Sequence, residues 1–143
     1  MNSRQRILVV EDDDYIRRLN FEALIRAGYN VDAAVDGAAG WEALQLNGYH
    51  LLITDSKMPR VSGIDLVKKL HSARMALPVI MATGKCPQEE LNRHPWLQID
   101  ATLLKPYTTA QLLAAVGNVL RVTDGFAPLP NLQSWPSPKV LRL

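Results

Sequence analysis

The sequence contains a single cysteine, Cys86, so no disulfide bond can form within the chain. We interpret Cys86 as an unreactive loop thiol in a reducing compartment. No apolar run approaches the length of about 18 residues that a membrane-spanning helix needs. Only four apolar residues follow the N-terminal basic segment, which is too few for a signal peptide. These absences together predict a cytoplasmic protein.

The sequence also lacks an excess of charge of either sign. Its 16 basic and 14 acidic side chains give a net charge of +2, so charge gives no reason to expect nucleic-acid binding. A length of 143 residues with 48% hydrophobic residues favours one folded domain. We assign that domain to residues 1–122. Residues 123–143 hold four of the nine prolines and no helical period, so we expect an extended tail or linker there.

Short apolar runs alternate with helical patterns along the whole of the predicted domain. Each run is rich in aliphatic residues, as in strands that are buried on both faces. The five runs are residues 7–10, 30–35, 50–54, 78–82 and 101–104. Regular β-α alternation predicts an α/β fold, a doubly wound five-stranded parallel sheet with helices on both faces.

Capping signals mark several helix ends. Gly28 is suited to end the first helix, and Asp36 is suited to cap the second. Thr108 and Gln111 have the spacing of a capping box at the start of the last helix. Pro95 should end a short helix over about residues 87–94.

Polar residues follow four of the five predicted strands. The first strand leads to Glu11 and Asp12, the third to Asp55, the fourth to Thr83 and the fifth to Lys105. Parallel strands end at one edge of a sheet, and open α/β sheets form their sites beyond that edge. Each residue alone could be an ordinary turn or helix-start residue, but their convergence at one edge predicts a site.

The residue types at this edge favour phosphoryl chemistry. Three carboxylates repel one another unless a cation lies among them, and oxygen ligands suit Mg²⁺. A carboxylate can attack a phosphoryl group and form an aspartyl phosphate. Lys105 could neutralise phosphoryl charge, and the Thr83 hydroxyl could donate a hydrogen bond to a phosphoryl oxygen.

Several of these motifs match those of a known family. The chain resembles the receiver domain of two-component response regulators over about residues 5–121. The motifs that carry the resemblance are the run 7–13, Asp55 with Met58-Pro59 and Gly63, Thr83, and Lys105-Pro106. The fold that this resemblance implies is flavodoxin-like, with strand order 2-1-3-4-5.

The resemblance also implies a role for each site residue. Asp55 becomes the phosphorylated aspartate, Thr83 the switch hydroxyl and Lys105 the lysine that contacts the phosphoryl group. Pro106 would follow a cis peptide bond. The implied Mg²⁺ ligands are Glu11, Asp12, Asp55 and the backbone carbonyl of Lys57.

The implied function is a signalling switch rather than an enzyme with an external substrate. Such a domain takes its phosphoryl group from a histidine kinase or a phosphotransfer protein, and assists only its own phosphorylation and dephosphorylation. Phosphorylation then changes binding to a downstream effector protein. No membrane or direct nucleic-acid contact is implied.

The sequence departs from the family pattern in three places. Thr102 stands where the family usually has an aromatic switch residue, and Tyr107 follows Pro106 where phenylalanine is frequent. The other departures are Pro95-Trp96 with Gln98-Ile99 before the fifth strand, and the additional lysines Lys57 and Lys85.

The sequence leaves three alternative functions to weigh against a receiver domain. A haloacid-dehalogenase type of phosphatase needs an aspartate two residues after the nucleophile, where this chain has Lys57. A nucleotide or flavin binder needs a glycine- or hydroxyl-rich loop after the first strand, where this chain has the acidic run 11–14. The third alternative is a receiver fold that serves as an interaction platform without phosphorylation.

Overall fold

The computed structural model describes residues 4–84, 92–93 and 98–123, and the backbone of residues 140–141. Predictions that concern Lys85 and Cys86 therefore lie outside the described residues, and of the helix predicted over about residues 87–94 only residues 92–93, which are helical, are described. Among the residues described, no helix is both long and apolar enough to cross a membrane. In chain order, the elements are β1 (Arg6–Val10), α1 (Asp14–Arg26), β2 (Asn30–Ala34), α2 (Gly37–Leu46), β3 (Leu51–Asp55), α3 (Gly63–Ser72), β4 (Val79–Thr83), β5 (Ala101–Leu104), α4 (Thr109–Thr123) and β6 (Val140–Leu141).

All strand pairs in the sheet are parallel, and the strand order is β2-β1-β3-β4-β5-β6. The predicted order 2-1-3-4-5 and the α/β fold are thus confirmed. The two-residue strand β6, which pairs with Thr102 and Leu103 at the edge of β5, was not predicted. The division into a domain of residues 1–122 and a tail stays a prediction.

The core forms two layers, one on each face of the sheet. Alternate residues of β1 point to opposite sides: Ile7 and Val9 join the cluster beneath α1 and α4, while Leu8 and Val10 join the cluster beneath α2 and α3. Every residue of β3 is buried. Burial on both faces explains why the strands are continuous aliphatic runs rather than alternating ones.

The helix ends follow the predicted capping chemistry. The Asp36 side chain accepts a hydrogen bond from the Ala39 amide at 2.8 Å, and Gly28 has a φ of 102° just beyond α1. The Thr108 amide donates to Gln111 Oε1 at 2.6 Å, while the Gln111 amide donates to Thr108 Oγ1 at 3.1 Å. These caps fix where each helix begins relative to the strand before it.

The order of the strands reverses at β1, which lies between β2 and β3. The chain winds outwards from this point in both directions, so the loops that follow β1 and β3 separate and leave a crevice between them. Glu11 follows β1 directly, and Asp55 is the last residue of β3. The fold therefore places both carboxylates at the topological switch point.

Candidate functional site

Three carboxylates meet at the switch point. Glu11, Asp12 and Asp55 each offer a carboxylate oxygen, and these oxygens all lie within 4.8 Å of one another. Glu11 and Asp55 are buried, with 2% and 8% of their surface exposed, whereas Asp12 is exposed. The group therefore has a buried base and one side open to solvent.

Lys105 completes what we call the carboxyl-end cluster, made of Glu11, Asp12, Asp55 and Lys105. The lysine Nζ lies 3.3 Å from Glu11 Oε1 and 3.2 Å from Asp55 Oδ1. One ammonium group thus bridges the two buried carboxylates. The cluster has three potential negative charges and only one positive charge, so it carries an excess of negative charge when all its groups are ionised.

The electrostatics of the cluster reflect this imbalance. Burial, together with the nearby charge of Asp55, raises the pKa of Glu11 to about 7 despite an opposing effect of Lys105. Burial also raises the pKa of Asp55. Burial alone would lower the pKa of Lys105, but the charges of Glu11 and Asp55 outweigh it and the pKa is raised. The carboxylates hold the ammonium in its charged form while resisting their own ionisation.

The loop after β3 is held close to Asp55. The Ser56 amide donates to the Ala82 carbonyl at 2.8 Å, and the Gly63 amide donates to the Ser56 carbonyl at 3.1 Å. A Cβ atom at Gly63 would collide with the Asp55 carbonyl, so only glycine allows this close approach. Lys57 lies within this loop, two residues after Asp55.

The same loop is also fixed against the start of α2. Arg60 has a φ of 70°, and its Nη1 donates to Asp36 Oδ2 at 3.0 Å. A Cβ atom at Gly37 would collide with the carbonyl of Val61. Sequence reasoning found the capping role of Asp36 but not its ion pair with Arg60, because nothing in the sequence indicates that long-range contact.

Thr83 lies at the same edge of the sheet. It is the last residue of β4, only 2% of its surface is exposed, and its carbonyl accepts a hydrogen bond from the Lys105 amide at 2.8 Å. Its backbone therefore helps to place Lys105. The Lys105-Pro106 peptide bond is cis, as expected.

Thr102, the residue at the expected aromatic position, is buried with 5% of its surface exposed. It pairs with Met81 in the sheet and lines a cavity of about 590 Å³ that also touches the end of α3 and the start of β4. A buried threonine thus takes the place of the expected aromatic ring.

Three residues that sequence reasoning did not assign to the site support it from α1 and the β5–α4 turn. The Arg17 guanidinium donates to the Glu11 carbonyl at 2.9 Å. The Asn20 amide donates to the Tyr107 hydroxyl at 2.8 Å. The sequence places Asn20 at an apolar position of the helical pattern, four residues after Ile16 and four before Leu24, and this was the available signal for it. A guanidinium that contacts a backbone carbonyl has no such signal in the sequence.

The donor set fits a hard divalent cation. The three side chains supply only oxygen ligands, and the exposed face at Asp12 leaves room for water. A cation would also offset the excess negative charge that raises the pKa of Glu11. The acidic cluster is therefore compatible with Mg²⁺.

Comparison with known proteins agrees with this geometry. The family model described as "Response regulator receiver domain" matches residues 7–117, which is most of the chain. The chain belongs to this family. The match includes all the residues of the carboxyl-end cluster and every residue of the strands β1 to β5 except Arg6.

Curated relatives of this receiver domain include transcriptional regulators. The chain is 30% identical to the transcriptional regulatory protein RprY of Bacteroides fragilis over 87% of its own length and 53% of that protein. It is 34% identical to the transcriptional regulatory protein CusR of Escherichia coli over 81% of its own length and 51% of that protein. The chain thus spans about half the length of these curated relatives.

Solved receiver domains share the fold along nearly their entire length. A CheY-like receiver domain protein from Methanospirillum hungatei is 29% identical with a TM-score of 0.79, over 85% of this chain and 98% of that one. The Francisella response regulator 1452 receiver domain is 25% identical with a TM-score of 0.78, over 84% of this chain and 99% of that one. The domain is therefore a signalling domain related to two-component regulators.

Proposed function

We propose that Asp55 accepts a phosphoryl group from a phosphohistidine of a histidine kinase or phosphotransfer protein. One observation carries this proposal: the Asp55 carboxylate lies among two further acids, all within 4.8 Å, with an ammonium group 3.2 Å away. Phosphoryl transfer requires this combination, because the protein must position an oxygen nucleophile and neutralise phosphoryl charge.

Mg²⁺ would be held by the side chains of Glu11, Asp12 and Asp55 together with the backbone carbonyl of Lys57. When bound, the ion supplies positive charge that neutralises phosphoryl oxygens. The raised pKa of Glu11 supports this assignment, since a buried acid that resists ionisation gains from a cation beside it. Asp12, being exposed, leaves one side of the site open to a phosphoryl donor.

In the proposed transfer, an Asp55 carboxylate oxygen attacks the phosphorus atom. The phosphorus–nitrogen bond of the donor breaks, its electron pair returns to the imidazole nitrogen, and an acyl phosphate remains on Asp55. Lys105 moves from its contacts with Glu11 and Asp55 to an oxygen of the phosphoryl group. The Thr83 hydroxyl donates a hydrogen bond to another. Hydrolysis of the acyl phosphate restores the carboxylate.

The acyl phosphate then acts as a switch rather than as a step of turnover. New contacts from Thr83 and Lys105 exist only in the phosphorylated state, so they bias a conformational equilibrium of the domain. A downstream effector that binds one of the two conformations would sense the change. We propose that this occurs in the cytoplasm, without contact to membrane or nucleic acid by this domain.

Acetyl phosphate tests the proposal directly. With Mg²⁺, the intact protein should gain the mass of one phosphoryl group, and Asp55→Asn should gain none. The matched control is Asp32→Asn, which removes a carboxylate from β2 at a distance from the cluster and should be modified like the wild type. A wild-type protein that stays unmodified in the presence of both reagents would overturn the proposal.

A second function, as an interaction platform that works without phosphorylation, is favoured by Thr102. Because no aromatic ring occupies this position, the usual aromatic partner of the switch hydroxyl is missing from β5. The acetyl phosphate assay separates the two functions, because a platform of this kind would stay unmodified where a phosphoacceptor gains one phosphoryl group.

A further inference from the structure

The hydrogen bond between Asn20 and Tyr107 is unusual for its place in the molecule. Asn20 lies in the middle of α1 with only 6% of its surface exposed, and the Tyr107 ring packs against the apolar cluster beneath α1 and α4. The amide Nδ2 donates to the tyrosine hydroxyl at 2.8 Å. This bond joins two parts of the chain that each lead directly to the carboxyl-end cluster.

On one side, Asn20 lies on a face of α1 that also contacts the segment carrying Glu11. Arg17 precedes Asn20 by three residues, a spacing that places both side chains on the same face of the helix. Arg17 Nη1 donates to the Glu11 carbonyl at 2.9 Å. The same face of α1 is therefore hydrogen-bonded to the segment that carries Glu11 and to the turn that carries Tyr107.

On the other side, Tyr107 is only two residues from Lys105. The intervening Pro106 has a fixed φ, so few rotations separate the ring from the lysine backbone. The Lys105 Nζ is the group that bridges Glu11 and Asp55. A displacement of the Tyr107 ring would therefore move the point from which the lysine side chain extends.

We propose that the Tyr107 hydroxyl is a positioning group for phosphoryl transfer. Through Asn20 it ties the turn of Lys105 to the helix that holds the Glu11 turn, and so fixes the ammonium relative to the acids. This inference rests on the proposed function, because Lys105 must act on the phosphoryl group. An apolar pair of similar volume would fill the space but would not set the orientation of the turn.

The test compares Tyr107→Phe with the double variant Asn20→Leu/Tyr107→Phe. The single variant leaves the buried Asn20 amide without its partner and should unfold at lower urea concentration than the wild type. The double variant replaces a polar pair by an apolar pair and should regain most of that loss. The two variants therefore differ in stability but both lack the positioning hydrogen bond.

The readout is the rate of Asp55 phosphorylation at increasing acetyl phosphate with saturating Mg²⁺. We expect the maximal rate to fall about fivefold in both variants, the size of effect that one neutral hydrogen bond supports. The Mg²⁺ dissociation constant should stay within about twofold of wild type, because Tyr107 is not a ligand. Tyr29→Phe, which removes a hydroxyl from the same apolar cluster near the start of β2, should keep the wild-type rate.

Each outcome decides the question. A wild-type rate in Tyr107→Phe, or a rate that returns to wild type together with stability in the double variant, would show that the bond serves folding alone. Loss of Mg²⁺ binding in parallel with the rate would also overturn the positioning role. If Tyr107→Phe does not fold, the double variant alone carries the comparison. A wild-type protein that accepts no phosphoryl group would instead refute the proposed function.

Discussion

Two clusters of charged side chains, at opposite ends of the sheet, show how this fold separates structure from chemistry. Near the amino ends of the strands, the amino-end cluster consists of Arg6, Asp32 and Tyr49. Arg6 Nη2 lies 2.8 Å from Asp32 Oδ2, the Tyr49 hydroxyl donates to the same oxygen at 2.6 Å, and the guanidinium lies 5.0 Å from the Tyr49 ring centre. One carboxylate here meets one cation and one hydroxyl, so its charge is balanced.

The carboxyl-end cluster has the opposite character. Its single ammonium faces three carboxylates, two of which are buried. A fold gains nothing from such repulsion, because removing acids would relieve it. The difference teaches that an ion pair alone does not indicate a functional site in this domain. A cluster of unbalanced charge at a topological switch point does. Three predictions can break or sharpen this comparison, beginning with the largest effect.

Backbone packing should differ most between the two ends. Gly63→Ala places a methyl group against the Asp55 carbonyl, so we expect a loss of at least about 3 kcal/mol in the free energy of unfolding. The matched control is Gly48→Ala, just before β3, where a Cβ atom meets nothing within 4 Å. This control should change stability by less than about 0.5 kcal/mol. Urea unfolding followed by circular dichroism measures both, and equal values would contradict the difference in packing.

The sequence predicted which residues meet at the carboxyl end of the sheet better than the contacts that support them. Continuous aliphatic runs identified five strands, and four of these runs end beside a candidate residue that the structure places at one edge of the sheet, because strand ends are encoded locally. The Arg60–Asp36 and Asn20–Tyr107 contacts depend on distances between segments far apart in the chain. No local pattern records such distances.

The strand β6 escaped sequence analysis for a different reason. Val140 and Leu141 follow a proline-rich stretch, and two residues are too short a run to show a strand period. Pairing with an exposed sheet edge depends on the edge strand β5 as much as on the added segment. The strand β6 therefore forms because of its neighbours in space rather than because of its local sequence.

The second largest difference between the two clusters should be the effect of proton binding on stability. The pKa of Glu11 is raised from 4.5 to about 7, so between these pH values the folded protein holds a proton that the unfolded chain releases. Stability without Mg²⁺ should therefore fall by about 3 kcal/mol as pH rises from 4.5 to above 7. Asp55, whose pKa is also raised, adds to the fall. Urea titrations at several pH values measure it.

Two changes should flatten this pH profile and one should not. Glu11→Gln removes the titrating group, and saturating Mg²⁺ should stabilise the deprotonated acids above pH 7, because the proposed site exists only in the folded state. Asp32→Asn, in the amino-end cluster, should leave the slope as it is in the wild type. If wild type and Glu11→Gln have the same slope, Glu11 is not the group that links pH to stability.

The smallest effect concerns the cations of the two clusters. Lys105→Met leaves the buried acids Glu11 and Asp55 without their shared ammonium. Because the lysine side chain is 23% exposed, we expect a loss of about 1–2 kcal/mol at pH 8, less than for a fully buried ion pair. Arg6→Met removes a cation from a pair whose side chains are 38% and 45% exposed, and should cost less than about 1 kcal/mol.

The responses of the two variants to Mg²⁺ and to pH test this prediction more sharply than their losses of stability do. Mg²⁺ held by the three carboxylates of the carboxyl-end cluster would offset their charge, so it should recover part of the stability of Lys105→Met and none of that of Arg6→Met. Lowering the pH to about 5 should also narrow the deficit of Lys105→Met, because protonated acids no longer repel. Equal responses of both variants to Mg²⁺ would mean that the two ends of the sheet are alike in their charge balance. The contrast between a structural ion pair and a site would then have to rest on the position of the carboxylates alone.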